Sequence, residues 1–116
     1  MFENSSEETA YHKLLILYIL YKIKMDLTNS QITQVVLETE MMNYFSLQQL
    51  LSQLMESKFL KIYKDSDKEY YCLTQKGLET LESLMLKIPI DSANKVDHYI
   101  KLNKESLLAE TQVKSS

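Results

Sequence analysis

The 116-residue sequence predicts a mainly α-helical domain with one small β-hairpin, and two observations support this class. Apolar residues recur at spacings of three and four in several segments, which is typical of amphipathic helices. Between two such segments, residues 60–74 alternate in polarity around the turn-forming sequence Asp65-Ser66-Asp67-Lys68, which is typical of a hairpin. With 45% hydrophobic residues, a chain of this length forms one domain with its own core.

The first predicted helix covers residues 7–25 and is apolar on every face over two turns. Ser5 and Glu8 have the spacing of a capping box, and residues 14–21 are all aliphatic or aromatic. A helix without a polar stripe is buried on two sides. The second side can be covered by another subunit or by later helices of the same chain, and the sequence is compatible with both.

Two shorter helices follow, each with its own start signal. Thr28 and Gln31 form a potential capping box for a helix that ends near Glu38. Asn43 is a potential N-cap for the third helix, residues 43–57. One face of this helix is apolar and comprises Leu47, Leu50, Leu51 and Leu54. The opposite face has no positive charge and comprises Phe45, Gln48, Gln49, Ser52 and Glu56.

The second hairpin strand has one face predicted to be buried and one predicted to look outward. Tyr71 and Leu73 fall on the buried face, whereas Tyr70 and Cys72 alternate with them. Cys72 is the only cysteine, so an intramolecular disulfide is excluded. Its outward position fits either a small hydrophobic residue under a partner or an exposed thiol, and an oxidation sensor would need a low pKa.

Two further helices are predicted after the hairpin. Thr74 caps the fourth helix, residues 75–87, which ends before Pro89. Gly77 lies in its first turn, where glycine costs roughly 0.5–1 kcal/mol relative to alanine, so we expect backbone of a neighbouring element to approach it closely. The fifth helix covers residues 90–104. Residues 1–104 therefore form the domain, and residues 105–116 form a polar, disordered tail.

The predicted order of helix, helix, helix, hairpin and helix is the plan of a winged helix-turn-helix domain with an additional C-terminal helix. The sequence also resembles a known family at particular positions. Phe59-Leu60-Lys61-Ile62 and Tyr71-Cys72-Leu73-Thr74-Gln75-Lys76-Gly77 resemble the wing and the Y-x-L-T-x-x-G motif of PadR-like and MarR-like bacterial transcriptional regulators.

Over residues 14–99, the chain also resembles a narrower group of winged-helix proteins of Gram-positive anaerobes that is described as a domain of unknown function. Members of that group continue into a further β-rich C-terminal portion. The resemblance therefore leaves open whether this chain is a shortened form.

The resemblance implies a homodimer that binds double-stranded DNA, with residues 43–57 as the recognition helix and residues 60–74 as the wing. The implied base contacts, which include glutamine on adenine and phenylalanine on thymine methyls, are Asn43, Phe45, Gln48, Gln49 and Ser52. The implied phosphate contacts are Lys58, Lys61, Lys64, Lys68 and Lys76. The implied dimer contacts on the first and last helices are Leu15, Tyr18, Ile19, Val96, Tyr99 and Ile100. An aromatic residue near a helix start, such as Phe45, also fits the core or a subunit contact.

Charge is distributed unevenly along the sequence. The formal net charge is −3, and residues 26–57 hold four acidic residues and no lysine, whereas residues 58–76 hold five lysines and three acidic residues. This pattern fits a DNA-binding protein whose phosphate contacts come from the wing. It also fits an alternative, a winged-helix module that binds other proteins and not DNA.

Neither enzyme chemistry nor a cofactor is predicted. A chain with one glycine has no phosphate-binding glycine loop and no nucleophile elbow. His12 and His98 lie on separate predicted helices, and no cysteine or carboxylate lies at metal-ligand spacing around either, so no metal site is predicted. Residues 1–9 lack a basic leader and residues 14–21 are too few to span a bilayer, so we expect a cytoplasmic protein with no membrane contact. The sequence specifies neither the operator nor an effector, nor whether the regulator represses or activates.

Overall fold

A computed structural model describes the backbone of residues 2–112 and the side chains of residues 9–103. Its elements are α1 (Phe2–Ile23), β1 (Leu27–Thr28), α2 (Asn29–Glu38), α3 (Tyr44–Glu56), β2 (Leu60–Asp65), β3 (Lys68–Leu73), α4 (Gln75–Leu84), a 3₁₀ helix (Met85–Lys87) and α5 (Ile90–Gln112). The fold is mainly α-helical with a small antiparallel sheet, which is the predicted winged helix-turn-helix class with an additional C-terminal helix.

Both terminal helices are longer than predicted. Helix α1 begins at Phe2, so Ser5 lies inside the helix and the predicted capping box does not mark its start. No proline or glycine stands ahead of the apolar segment to stop the helix earlier. Helix α5 continues past residue 104 to Gln112, and the predicted tail falls partly in this helix and partly, at residues 113–116, outside the described residues. No described helix is long and apolar enough to cross a membrane.

The sheet has three strands in the order β1-β3-β2, with β3 in the centre. Strands β2 and β3 form the predicted hairpin, in register from Leu60 opposite Leu73 to Asp65 opposite Lys68. Ser66 and Asp67 both have positive φ angles, 54° and 70°, so they form a two-residue turn of the kind that matches strand twist. Strand β1 was not predicted, because two residues are too few to show alternation and Thr28 is also the N-cap of α2.

The central part of helix α1 is buried by the rest of its own chain. The seven side chains of residues 14–20 are between 0% and 7% exposed, because α3, α4, α5 and β3 pack around this segment. Helix α5 covers the second apolar face of α1, and Tyr18 Oη donates a hydrogen bond to Asp97 Oδ1 at 2.9 Å. Of the two arrangements that the sequence allowed, the intrachain one is therefore found.

The predicted dimer contacts are buried within the single chain. All six residues are buried where α1 and α5 pack within one chain: Leu15, Tyr18, Ile19, Val96, Tyr99 and Ile100. Their apolar surface is already removed from water, so it provides no driving force for association with a second copy. We therefore expect a dimer of this chain to use other side chains.

Tyr70 departs from the predicted alternation of β3. It lies on the opposite face from Tyr71, as expected, but it is only 5% exposed. Tyr63 stands directly across from it on β2, and the two rings stack with centroids 5.6 Å apart. Tyr70 does not belong to the main apolar core, so the outward face of the sheet carries a small aromatic cluster of its own.

The chain packs closely around Gly77, as predicted. A β-carbon built on Gly77 would lie 2.3 Å from the carbonyl oxygen of Phe59, the residue just before β2. The same oxygen accepts the backbone N–H of Thr74 at 3.1 Å, and the hydroxyl of Thr74 accepts the N–H of Gly77 at 3.0 Å. The start of α4 is thereby fixed against the start of the hairpin.

We expect Gly77→Ala to destabilise the domain. The methyl group cannot be accommodated unless the Phe59 carbonyl moves, and such overpacking costs about 1–3 kcal/mol, more than alanine gains in a helix. Chemical denaturation would measure the loss. Ser83→Ala, at an exposed position of the same helix, is the matched control and should change the free energy of unfolding by less than about 0.5 kcal/mol. A Gly77→Ala protein as stable as the parent would contradict this packing.

Candidate nucleic-acid interface

Helix α3 presents one continuous polar and aromatic stripe to solvent. Asn43 caps the helix, since its side chain accepts the N–H of Ser46 at 2.8 Å. The predicted apolar face is buried and packs towards α1, α2 and β2. The exposed side chains at spacings of four, three and four residues, here called the α3 stripe, are Phe45, Gln49, Ser52 and Glu56. Three of the five predicted base contacts therefore lie together on an accessible helix face.

Two aromatic side chains stand at the start of the α3 stripe. Phe45 is 83% exposed, so it does not belong to the core of the chain. Tyr44 is 50% exposed and makes an edge-to-face contact with Phe45, with ring centroids 6.1 Å apart. Tyr44 was not among the predicted site residues, although its position directly before Phe45 could have suggested it. An exposed aromatic pair of this kind indicates a contact surface.

Gln48 is engaged in a reciprocal amide pair with Asn29 at the start of α2. Asn29 Nδ2 donates to Gln48 Oε1 at 2.7 Å, and Gln48 Nε2 donates to Asn29 Oδ1 at 3.1 Å. Asn29 Nδ2 also donates to the hydroxyl of Tyr71 at 3.2 Å. This Asn29–Gln48 amide pair therefore ties α2, α3 and β3 together. Asn29 was missed because nothing in the sequence marks a contact between residues so far apart.

A groove of about 700 Å³ separates the start of α2 from the tip of the hairpin. We call it the α2–wing groove, and its lining residues are Thr28, Asn29, Ser30, Lys64, Asp67, Lys68 and Glu69. The first turn of α2 contains no acidic residue, and the N-terminus of a helix favours negative charge. Lysines thus face a helix N-terminus across the groove, although two carboxylates also line it.

All five predicted phosphate contacts are exposed: Lys58, Lys61, Lys64, Lys68 and Lys76. Each of the two lysines at the groove stands opposite an acidic residue in the hairpin register, Lys64 opposite Glu69 and Lys68 opposite Asp65. The Lys76 ammonium group lies 5.3 Å from the centre of the Phe59 ring. The hairpin strands and their turn are therefore a mixed surface with equal numbers of lysines and acidic residues, and the excess of positive charge comes from Lys58 and Lys76 on either side of it.

The outward face of the sheet is unsuited to thiol chemistry. Cys72 is half-buried, and burial, followed by the nearby carboxylate of Asp26, raises the pKa of its thiol. A raised pKa keeps the sulfur protonated at neutral pH, which is the opposite of what a redox sensor requires. Asp26 also accepts a hydrogen bond from Tyr63 Oη at 2.6 Å, and this bond, with burial, raises the pKa of Tyr63 to about 12.

The two histidines lie on separate helices, as predicted, with His12 on α1 and His98 on α5. Among the described residues, no group of three or more histidine, cysteine, aspartate or glutamate side chains could hold a metal ion. The features that lie next to one another in the structure are the α3 stripe, the Asn29–Gln48 amide pair and the α2–wing groove.

Comparison with known proteins identifies a family for most of the chain. The sequence model of a family described as "Domain of unknown function (DUF4364)" matches residues 12–116. No curated protein matches the chain. No solved structure matches it either. The match includes every element from α2 to α5 and all of the candidate interface, and the chain therefore belongs to the DUF4364 family.

Proposed function

We propose that this protein is a DNA-binding transcriptional regulator and not an enzyme. Helix α3 enters the major groove, and the wing, residues 60–74, lies on the phosphate backbone. The observation that carries this proposal is one continuous surface that extends from α3 across the start of α2 to the wing. The Asn29–Gln48 amide pair joins α3, next to the α3 stripe, to the first turn of α2. That turn forms one wall of the groove whose other wall bears Lys64 and Lys68.

This surface matches the two tasks of a DNA-binding domain. Phosphate contacts position the protein and supply affinity, and the exposed lysines of the wing are suited to them. Base edges are read in the major groove by side chains of a protruding helix, and the α3 stripe has such side chains at its N-terminal end. Since α3 carries no lysine or arginine, its role in the proposal is to recognise bases while the wing supplies the attraction.

A homodimer in the cytoplasm is part of the proposal. Helix-turn-helix regulators bind half-sites about one helical turn apart, near 34 Å, through two symmetry-related recognition helices. The buried α1 and α5 faces are not available for this contact. Outside α3, the most exposed large apolar side chains of the described residues are Leu86, Ile90 and Leu102, and we propose that the dimer contact includes them.

A second candidate function is a protein-interaction module. The observation that favours it is the exposed pair of Tyr44 and Phe45 on a helix whose only charged side chain is Glu56. Aromatic residues are enriched in the centres of protein interfaces, and a helix without cations gains nothing from phosphate.

A direct titration separates the two candidates. A labelled duplex pool of random sequence, about 25 base pairs long so that it holds two half-sites, is titrated with the protein at about 50 mM salt. We expect saturable binding with a Kd of about 1 μM or tighter, since even non-specific binding is about 10⁻⁴–10⁻⁶ M at higher salt. If a folded protein, verified by circular dichroism, binds no member of the pool, the interaction module replaces the regulator.

A further inference from the structure

We propose that the α3 stripe selects A·T base pairs, with Gln49 recognising adenine and Phe45 contacting the methyl group of thymine. This inference rests on the proposed function and adds the chemical class of the DNA sequence to it. It concerns the half-site sequence, which the DNA-binding proposal by itself does not specify.

The first argument is the set of side chains that α3 offers. Arginine and lysine are the usual partners of guanine O6 and N7, and the segment Tyr44–Glu56 contains neither. A carboxylate can accept from cytosine N4, but Glu56 is the last residue of the helix, whereas base contacts in helix-turn-helix proteins come from the N-terminal part. The stripe therefore provides no bidentate partner for a G·C pair, and Ser52, whose hydroxyl can contact several base edges, does not discriminate between pairs.

The second argument is that Gln49 is the amide of α3 best placed for adenine, because Gln53 is partly buried and lies in the C-terminal half of the helix. A glutamine amide can pair with adenine N6 and N7 through two hydrogen bonds. The amide of Gln48 already exchanges two hydrogen bonds with Asn29, and the side chain of Asn43 serves as the N-cap. Gln49 is exposed on the stripe. We accordingly assign Gln48 as a positioning residue that holds α3 against α2.

The third argument is the position of Phe45. Its ring is 83% exposed at the N-terminal end of α3, four residues before Gln49 and therefore on the same side of the helix. The ring also makes an edge-to-face contact with Tyr44. Thymine is the only standard base that presents a methyl group in the major groove, and it pairs with the adenine that Gln49 recognises.

Chemical substitution of the DNA tests each contact separately. A duplex pool containing only A·T pairs is compared with the same pool in which uracil replaces thymine, which removes the methyl group and keeps the pairing. For the parent protein, we expect uracil to lower affinity by at least about fourfold, the value of one buried methyl group. For Phe45→Ala, replacing thymine by uracil in the DNA should change affinity by less than about twofold. Leu37→Ala, which trims an exposed leucine near the end of α2 and outside both the α3 stripe and the proposed dimer contact, should respond like the parent.

Replacement of adenine by 7-deazaadenine, which removes N7, is the corresponding test of Gln49. We expect the parent to bind the 7-deazaadenine duplex at least about fivefold more weakly than the adenine duplex. For Gln49→Ala, the affinities for the two duplexes should differ by less than about twofold. Asn94→Ala, an exposed amide on α5, is the control and should respond like the parent. Neither test depends on the stability of the variants, because each compares two duplexes with one protein.

The outcomes distinguish this inference from the proposed function. Tighter binding to an A·T-only pool than to a G·C-only pool, together with the two losses described, supports it. Equal affinity for the two pools, or an A·T preference that neither base substitution weakens, would overturn the inference and leave DNA binding intact. Absence of binding to either pool at low salt would overturn the proposed function itself, and this inference with it.

Discussion

Replacing Tyr18 by glutamate is expected to unfold the chain under conditions in which the parent is stable. Tyr18 is 6% exposed at the centre of α1, and its hydroxyl donates to Asp97 on α5. Burial, followed by the hydrogen bond to Asp97, raises the pKa of Tyr18 to about 12, so the side chain is a neutral donor. Glutamate would place a carboxylate beside that of Asp97 in this site. A buried, unpaired charge costs at least about 3 kcal/mol, out of a typical total of about 5–15 kcal/mol.

Thermal unfolding would show this effect as a fall in Tm of more than about 10 °C. Tyr18→Phe is the matched control, because it keeps the ring and removes only the hydrogen bond. Its cost should be about 1 kcal/mol, since Asp97 is partly exposed and also lies 3.9 Å from the Lys22 ammonium group. A stable Tyr18→Glu monomer, with a parent that is dimeric in sedimentation, would instead mean that Tyr18 faces another subunit.

Replacing Lys61, Lys64 and Lys68 by glutamine is expected to weaken binding to every duplex by at least about tenfold. If these side chains neutralise phosphates, each contact contributes about 0.9 to the slope of log affinity against log salt. The variant should therefore also show a flatter slope, with no change in the preferred sequence, because phosphate contacts carry no base information.

The matched control for this change is glutamine at Lys87, Lys95 and Lys101. These three lysines are also exposed, but they lie in the 3₁₀ helix and in α5, away from the hairpin. The two triple variants have the same net charge. Binding that falls equally in both would mean that total charge, and not the wing, governs affinity.

Local rules predicted much of this fold. The capping box of Thr28 and Gln31 and the caps at Asn43 and Thr74 are confirmed, because each depends on residues within three positions of one another. The close packing around Gly77 was predictable from its position in the helix. Glycine in the first turn of a helix has a cost, and a close backbone contact is a physical reason to accept that cost.

The features that sequence reasoning missed depend on contacts between distant residues. Helix α5 covers α1 through contacts between residues more than 70 positions apart, such as the hydrogen bond from Tyr18 to Asp97. The sequence alone could not show whether α5 or a second subunit takes this place. The Asn29–Gln48 amide pair and the burial of Tyr70 by Tyr63 are likewise set by the fold, and periodicity does not encode them. The exposed α3 stripe was predictable, but the engagement of Gln48 with Asn29, which leaves Gln49 as the exposed amide, was not.

The salt dependence of duplex binding is the most direct test of DNA recognition through the wing. The affinity of the parent for a duplex pool is measured from about 50 to 200 mM salt. A dimer that uses two or three wing lysines per subunit should give a slope of roughly −4 to −5, which flattens in the Lys61, Lys64 and Lys68 variant. Absence of binding at the lowest salt, or a triple variant that binds with the affinity and slope of the parent, would contradict DNA recognition through the wing.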